Sequence, residues 1–220
     1  MAIFVQTHTT GPFQENGFLV ARAPGGPCVL IDPGDEAERW ISLIDELDAE
    51  PVMILNTHGH LDHIGAVPAL KKRYGIPFAI HPGDAFLLQN VNDHARMFGL
   101  DGYEDPEVDR DLVAGEPVEA AGIVFDVIHT PGHSPGHVTF RPKGENCVFS
   151  GDCLFMGSIG RSDLPGGDPA ILRRTLQDIF LALPDDTVVY CGHGPDTTIG
   201  EERRHNPFLN GSIRIDAPGL

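Results

Sequence analysis

Residues 51–63 read PVMILNTHGHLDH. A short apolar run ends abruptly in a polar segment that carries three histidines and an aspartate within seven positions, Thr57 to His63. The run has the length and bounding residues of a buried strand, which makes the polar segment the loop at its end. Imidazole and carboxylate together form the donor set of zinc-type ions, whereas hard cations prefer all-oxygen shells. The i, i+2 spacing of His58 and His60 lets both rings reach one ion from an extended loop. Asp62 and His63 fall where the next helix begins, and their side chains can turn towards a second ion nearby. An acid at that place also suits a helix N-terminus electrostatically.

The same context recurs downstream. His129–His137 follows VFDVI, Asp152 follows CVFSG and His193 follows TVVYCG. Four strands that each end in ligand-type residues predict that these residues share one edge of a sheet core, because functional loops are held by rigid strands. Further strands are read in AIFVQTH, GFLVARA, CVLIDPG, IPFAIH and HVTFRP. Helical spacing predicts helices over about Glu36–Leu47, in DHIGAVPALKKRYG, in GDAFLLQNVNDHARMFG and in DPAILRRTLQDIFLAL. The acidic, turn-rich stretch from Leu100 to Gly122 reads as a surface excursion with a short hairpin strand or two. Strands interleaved with helices predict a layered α/β architecture, helices covering the outer faces of two sheets. No repeat or linker divides the chain, so residues 1–220 are read as one domain.

The 220 residues are 41% hydrophobic and 21% charged, enough to bury a substantial core. A formal net charge of −17 opposes phosphate backbones and anionic lipid, and KKR at 71–73 and EERR at 201–204 are the densest basic spots. Nucleic-acid and membrane partners are therefore not expected. The N-terminus lacks a basic region followed by an apolar one, and no apolar run approaches the roughly 20 residues of a membrane span, so a cytoplasmic location is expected. Cys28, Cys147, Cys153 and Cys191 are scattered without a C-x-x-C pair and read as reduced, buried packing residues.

Taken in order, THGHLDHIG, HTPGHSPGH, SGDCLF and CGHGP resemble the metallo-β-lactamase superfamily, and within it the glyoxalase II-like hydroxyacylglutathione hydrolases. The resemblance extends from ENGFLV and LIDPG to EERRHNPFL. It implies a four-layer αββα sandwich with two divalent metal ions at one edge, zinc foremost and iron or manganese compatible. His58, His60 and His133 would bind the first ion, and Asp62, His63 and His193 the second, with Asp152 bridging. Two cations sharing a water bring its pKa from ~15.7 towards ~7, supplying a hydroxide for attack on a carbonyl. Asp62 would double as ligand and base. His129 and His137 are expected to pack or hydrogen-bond behind the ligands, as metal sites require. His81, with Asp84 three residues on, reads as a capped helix start.

The resemblance further implies a small-molecule partner, a glutathione thioester, with S-D-lactoylglutathione hydrolysis as the expected reaction. The chain stops about 27 residues after His193, as in the short single-domain bacterial type rather than glyoxalase II proper, with its added helical region. Arg161 and Arg203 are the candidates for a substrate carboxylate, which guanidinium groups bind in bidentate fashion. The main rival is an ETHE-type persulfide dioxygenase, in which one iron would sit on His58, His133 and Asp152. Such enzymes are expected to carry a tyrosine two residues beyond the last histidine; here that place is Pro195, which favours the hydrolase. A non-catalytic metal-binding module is the third reading, disfavoured by the complete ligand set. No oligomeric state is legible.

Overall fold

Alternation along the strands sorts side chains between two cores. In the computed structural model, which describes residues 2–213, the first sheet runs β1 (Phe4–Thr10), β2 (Glu15–Ala21), β3 (Gly26–Ile31), β4 (Ala49–Leu55), β5 (Phe78–Ile80) and β6 (Arg110–Asp111), side by side in that order. The first three strands are antiparallel and β3 to β6 are parallel. Leu19, Leu30, Ile54 and Phe78 pack with Trp40 and Ile44 of α1 (Ala37–Glu46), Val67 and Leu70 of α3 (Val67–Tyr74) and Val91 of α4 (Val91–Met97). Phe18, Val20, Val29, Ile31 and Leu55, one step out of phase, face the second sheet. Because side chains alternate across a strand, a two-sided burial needs apolar residues at consecutive positions, which is what GFLVA and CVLI supply.

The second sheet is built from β7 (Val118–Ala120), β8 (Ile123–His129), β9 (Val138–Pro142), β10 (Cys147–Gly151), β13 (Val188–Cys191) and β14 (Thr197–Thr198), in spatial order β14-β13-β10-β9-β8-β7. Phe125, Val127, Phe140 and Phe149 fill the space between the sheets. On the outer face Val148, Val189 and Cys191 pack with Leu172 and Leu176 of α5 (Pro169–Asp178) and Ile199 of α6 (Ile199–His205). The result is the four-layer αββα sandwich, the metallo-β-lactamase fold. Strands β8, β10 and β13 run in one direction, since β9 is antiparallel to both β8 and β10 and β13 is parallel to β10. Their C-terminal ends therefore meet at one edge. A small hairpin, β11 (Leu154–Phe155) with β12 (Ser158–Ile159), follows β10 at that edge.

Three predicted helices are shorter than the sequence periodicity implies. The stretch over 62–75 divides into α2 (Leu61–Ile64) and α3. Between them the Ala66 N–H donates to Pro33 and Gly34 carbonyls rather than to its own helix, and a Cβ on Gly65 would lie 2.4 Å from the Gly34 oxygen. The stretch over 83–99 becomes a 3₁₀ turn, Pro82–Leu88, then α4. Asn90 breaks it with a left-handed backbone (φ 56°), and the Asp105 carboxylate accepts from the Asn90 and Val91 amides. The last predicted helix ends at Asp178, and a 3₁₀ turn, Phe180–Ala182, leads to Pro184. In the acidic excursion β7 is the expected short hairpin strand, paired antiparallel with β8, and β6 is the edge strand of the first sheet. Among the described residues no helix is long and apolar enough to cross a membrane.

Phe149 lies between the sheets, fully buried, edge-on to Phe18 at 5.2 Å and stacked on Tyr190 at 5.0 Å. Phe149→Ala should cost about 3–5 kcal/mol of unfolding free energy in a urea titration. A loss below about 1 kcal/mol would mean that the two sheets do not depend on this contact.

Candidate metal centre

The segment after β4 is held from below by a carboxylate. Asp32, at the end of β3 and almost fully buried, accepts the Thr57 amide (2.7 Å) and the Thr57 hydroxyl (2.7 Å). Since the Thr57 hydroxyl donates to Asp32, its oxygen accepts from His58 Nδ1 at 3.0 Å, which leaves His58 Nε2 as a lone pair. His133, after β8, has Nδ1 at 2.7 Å from the Arg161 carbonyl, which only accepts, so its Nε2 is a lone pair too. These two lone-pair nitrogens stand 3.2 Å apart, and His60 Nδ1 is 2.8 Å from His133 Nε2. Burial, then the neighbouring His63 and His133, keeps His58 neutral, its pKa well below the usual histidine value. Burial, then His133, lowers that of His60 to about 3. Lone pairs facing one another in a buried pocket repel, and a cation between them relieves this. Three convergent imidazoles are a zinc-type donor set.

Beside this triad lies a second. Asp62 Oδ2 is 3.3 Å from His193 Nε2, and His63 completes a group whose ligand atoms all lie within 4.8 Å of one another. Asp152 stands between the two: its Oδ2 is 3.6 Å from His133 Nε2 and 3.5 Å from His193 Nε2, and its Oδ1 is 3.3 Å from His63 Nε2. Neither His63 Nε2 nor Asp152 Oδ1 has a hydrogen-bond partner although both are buried. The carboxylates demand positive charge here. Burial opposes protonation of His63, yet Asp152, Asp32 and Asp62 carry its pKa well above the usual value. Burial likewise opposes the rise of His193, which contacts with Asp152 and Asp62 nevertheless bring to about 9. Burial would raise Asp152, but His63, His193 and His133 hold it well below the carboxylate range. The residues fit a pair of divalent cations: His58, His60 and His133 for one, Asp62, His63 and His193 for the other, Asp152 for both. The ends of four strands thus converge, with Gly192 leaving room where a Cβ would lie 2.3 Å from Asp152 Oδ1.

The remaining candidates separate. His137 is fully buried; its Nε2 accepts from the Asp152 amide at 3.1 Å, its Nδ1 lies 2.9 Å from the Thr130 hydroxyl, and its ring stacks on His58. His129 does not touch the cluster; it stacks on His81 at 4.9 Å and lies 2.9 Å from the Pro135 carbonyl. Arg161 touches the centre through its backbone, while its guanidinium, largely exposed, pairs with Asp163. Arg203 is not brought to the site. Its guanidinium donates to Asp185 and to the Leu181 and Leu183 carbonyls, before β13, whereas His193 follows that strand. Cys153 and Cys191 are buried; the Cys153 thiol donates to the Thr130 carbonyl, and burial pushes the Cys191 thiol up to about 12.

Several supporting residues carry no assignment from sequence. Asp32 sits in LIDPG, after an apolar strand like every ligand, and that context was its signal. Glu15, fully buried with both oxygens unpartnered, is 3.6 Å from His63 Nδ1, and Asp32 is 3.2 Å from the same atom. Asn16 donates to the Cys191 and Gly194 carbonyls on either side of His193, and Asn56 donates to the His63 carbonyl. His81 caps its 3₁₀ turn as expected, accepting from the Gly83 amide, but Asp84 turns away into the loops around the ligands.

The family model of the metallo-beta-lactamase superfamily matches residues 10–193. The chain is 43% identical to hydroxyacylglutathione hydrolase GloC of Haemophilus influenzae, over 83% of this chain and 87% of that protein. Among solved structures it is similar to TTHA1623 in a di-iron-bound form (46% identity, TM-score 0.85, 93% of this chain and 100% of that one). It is also similar to BLEG-1 B3 metallo-beta-lactamase (38% identity, TM-score 0.88, 94% of this chain and 100% of that one).

Metal binding should respond to pH differently at the two triads. His63 and His193 hold protons that a cation must displace, so affinity at their triad should fall as pH drops below about 9, about tenfold per unit for each proton displaced. His58 and His60 are already neutral and lose little over the same range. Equilibrium dialysis at one fixed, buffered free zinc concentration should find two ions per chain at pH 8.5 and one at pH 6; simultaneous loss of both would contradict this. Asp152→Ala should lower metal content at both triads, and retention of two ions would remove Asp152 from its bridging place.

Proposed function

The chain belongs to the metallo-beta-lactamase superfamily as a metallo-hydrolase, and from that premise we propose that it hydrolyses the thioester of S-D-lactoylglutathione. The observation that carries the reading is the two complete triads joined at Asp152, in a chain 43% identical to a hydroxyacylglutathione hydrolase. Zinc is the proposed ion at both triads, with iron the alternative suggested by the di-iron form of TTHA1623. When bound, such a pair of ions acidifies a shared water and polarises the carbonyl of the substrate.

The chain's own residues supply the rest. His137 and the Arg161 carbonyl fix the orientation of Asp152 and His133, so that the ligands need little reorganisation when charge develops on the substrate. Asp62 keeps a carboxylate at the second triad. Burial would raise its pKa, but His193 and His63 hold it below the usual value, which keeps it ionised, and it is the proposed acceptor of a proton from the attacking water. A thiolate leaves with little protonation, so the reaction needs no further acid. Arg161 at the rim is the proposed contact for a substrate carboxylate, released from Asp163 when the substrate enters; Arg203 is not proposed for that role, because its guanidinium is held elsewhere.

Likeness to BLEG-1 gives the β-lactam amide a second reading on the same centre. The experiment compares three substrates with zinc-loaded, iron-loaded and chelated protein: S-D-lactoylglutathione by loss of thioester absorbance, a chromogenic cephalosporin, and glutathione persulfide by oxygen uptake. Metal-dependent thioester loss as the fastest of the three is expected. Cephalosporin turnover without thioester loss, or oxygen uptake with a single iron, would overturn the proposal.

A further inference from the structure

All three imidazoles of the first triad are carried by two turns that are far apart in sequence, 57–60 and 130–137. One buried side chain ties these turns together. Asp84, in the 3₁₀ turn after β5, has no solvent exposure. Its Oδ2 accepts the Gly59 amide, between His58 and His60, at 3.0 Å and the Ser134 hydroxyl, next to His133, at 2.6 Å. Its Oδ1 accepts the Gly136 amide, next to His137, at 2.6 Å. We infer that Asp84 is a positioning residue for the first metal, a carboxylate clamp that sets the distance between the His58/His60 turn and the His133 turn.

Three observations support a built fit. A Cβ on Gly136 would lie 2.5 Å from the Asp84 amide and 2.7 Å from Oδ1, and one on Gly59 would lie 3.3 Å from the Asp84 Cβ. Glycine is thus required at the approach of Gly136, and at Gly59 a side chain would be tight against the clamp. Ser134 is itself fully buried, so its hydroxyl has no competing water. On its far side, the His133 turn is braced by His129, which lies 2.9 Å from the Pro135 carbonyl and stacks on His81, three residues before Asp84. Charge-assisted bonds of this kind are roughly twice as strong as neutral ones. Removing the carboxylate leaves two amides and a hydroxyl buried without an acceptor, and the turns must move apart to find water. No bond runs from Asp84 to Asp62, His63 or His193, so the second triad should be spared.

The inference rests on the dinuclear reading, and the test separates the two. Zinc affinity is measured stepwise against a chromophoric chelator in the full chain, the steps being assigned with His60→Ala and His193→Ala as references. Asp84→Asn preserves shape but puts an amide N–H against one of the three donors. It should weaken first-triad binding about 10- to 100-fold, leave the second triad unchanged, and recover kcat in excess zinc. Ser134→Ala, which removes one donor, should shift the same step less. Wild-type affinity at both triads in Asp84→Asn would overturn the clamp. Equal weakening of both triads together with a lower melting temperature of the metal-free protein would reduce Asp84 to a general stabilising role and also overturn it. Fewer than two ions in the unmutated protein would remove the dinuclear reading itself, whatever the variants do.

Discussion

The carboxylate of Asp152 lies within 3.6 Å of imidazoles from both triads, His133 and His193, and within 3.3 Å of a third, His63. Burying a carboxylate among neutral rings is costly, and it is tolerated only where positive charge is concentrated beside it. The rest of the centre follows from that demand. Asp62 beside His193 and Asp32 beside His63 add further carboxylates to that half, while in the first triad the lone pairs of His58 and His133 face one another. A pair of cations satisfies both halves at once, neutralising the carboxylates on one side and separating the facing nitrogens on the other.

Holding that many polar groups in register requires a rigid support, and the two sheets provide it. Apolar residues on both faces of β2, β3 and β10 leave the central strands little freedom, so the strand ends are fixed to within a side chain's reach of one another. The loops are then tied crosswise rather than along the chain. Asp32 holds Thr57 from β3, Asp84 joins the His58/His60 and His133 turns, and Asn16 reaches from β2 to both sides of His193. At the opposite side of the second sheet, buried Glu202 accepts from the Gly157 amide and from Asn206, fastening α6 to the β11–β12 hairpin whose Phe155 lies edge-on to His193.

Much of this was legible in the sequence where the signal was local. The two-sided strands, the order of the layers and the grouping of His58, His60, Asp62 and His63 all depend on neighbours within a few residues. What escaped was decided at long range. Asp84 and Gly136 are 52 residues apart, and nothing in HPGDAF distinguishes a clamping carboxylate from a helix cap. Arg203 sits in an attractive basic segment, but α6 packs so that its guanidinium meets Asp185 at the far end of β13 from His193. Helix lengths were overestimated for a similar reason: the apolar period continues through Gly65 and Asn90, while close approach to Gly34 and capping by Asp105 end the helices there.

Two ions sharing Asp152 are what the centre is built to hold. Anomalous diffraction from zinc-loaded crystals, collected on both sides of the zinc absorption edge, addresses this directly. It should show two peaks, one among His58, His60 and His133 and the other among Asp62, His63 and His193, each bonded to an oxygen of Asp152. A single peak, or two peaks of which either has no bond to Asp152, would contradict it.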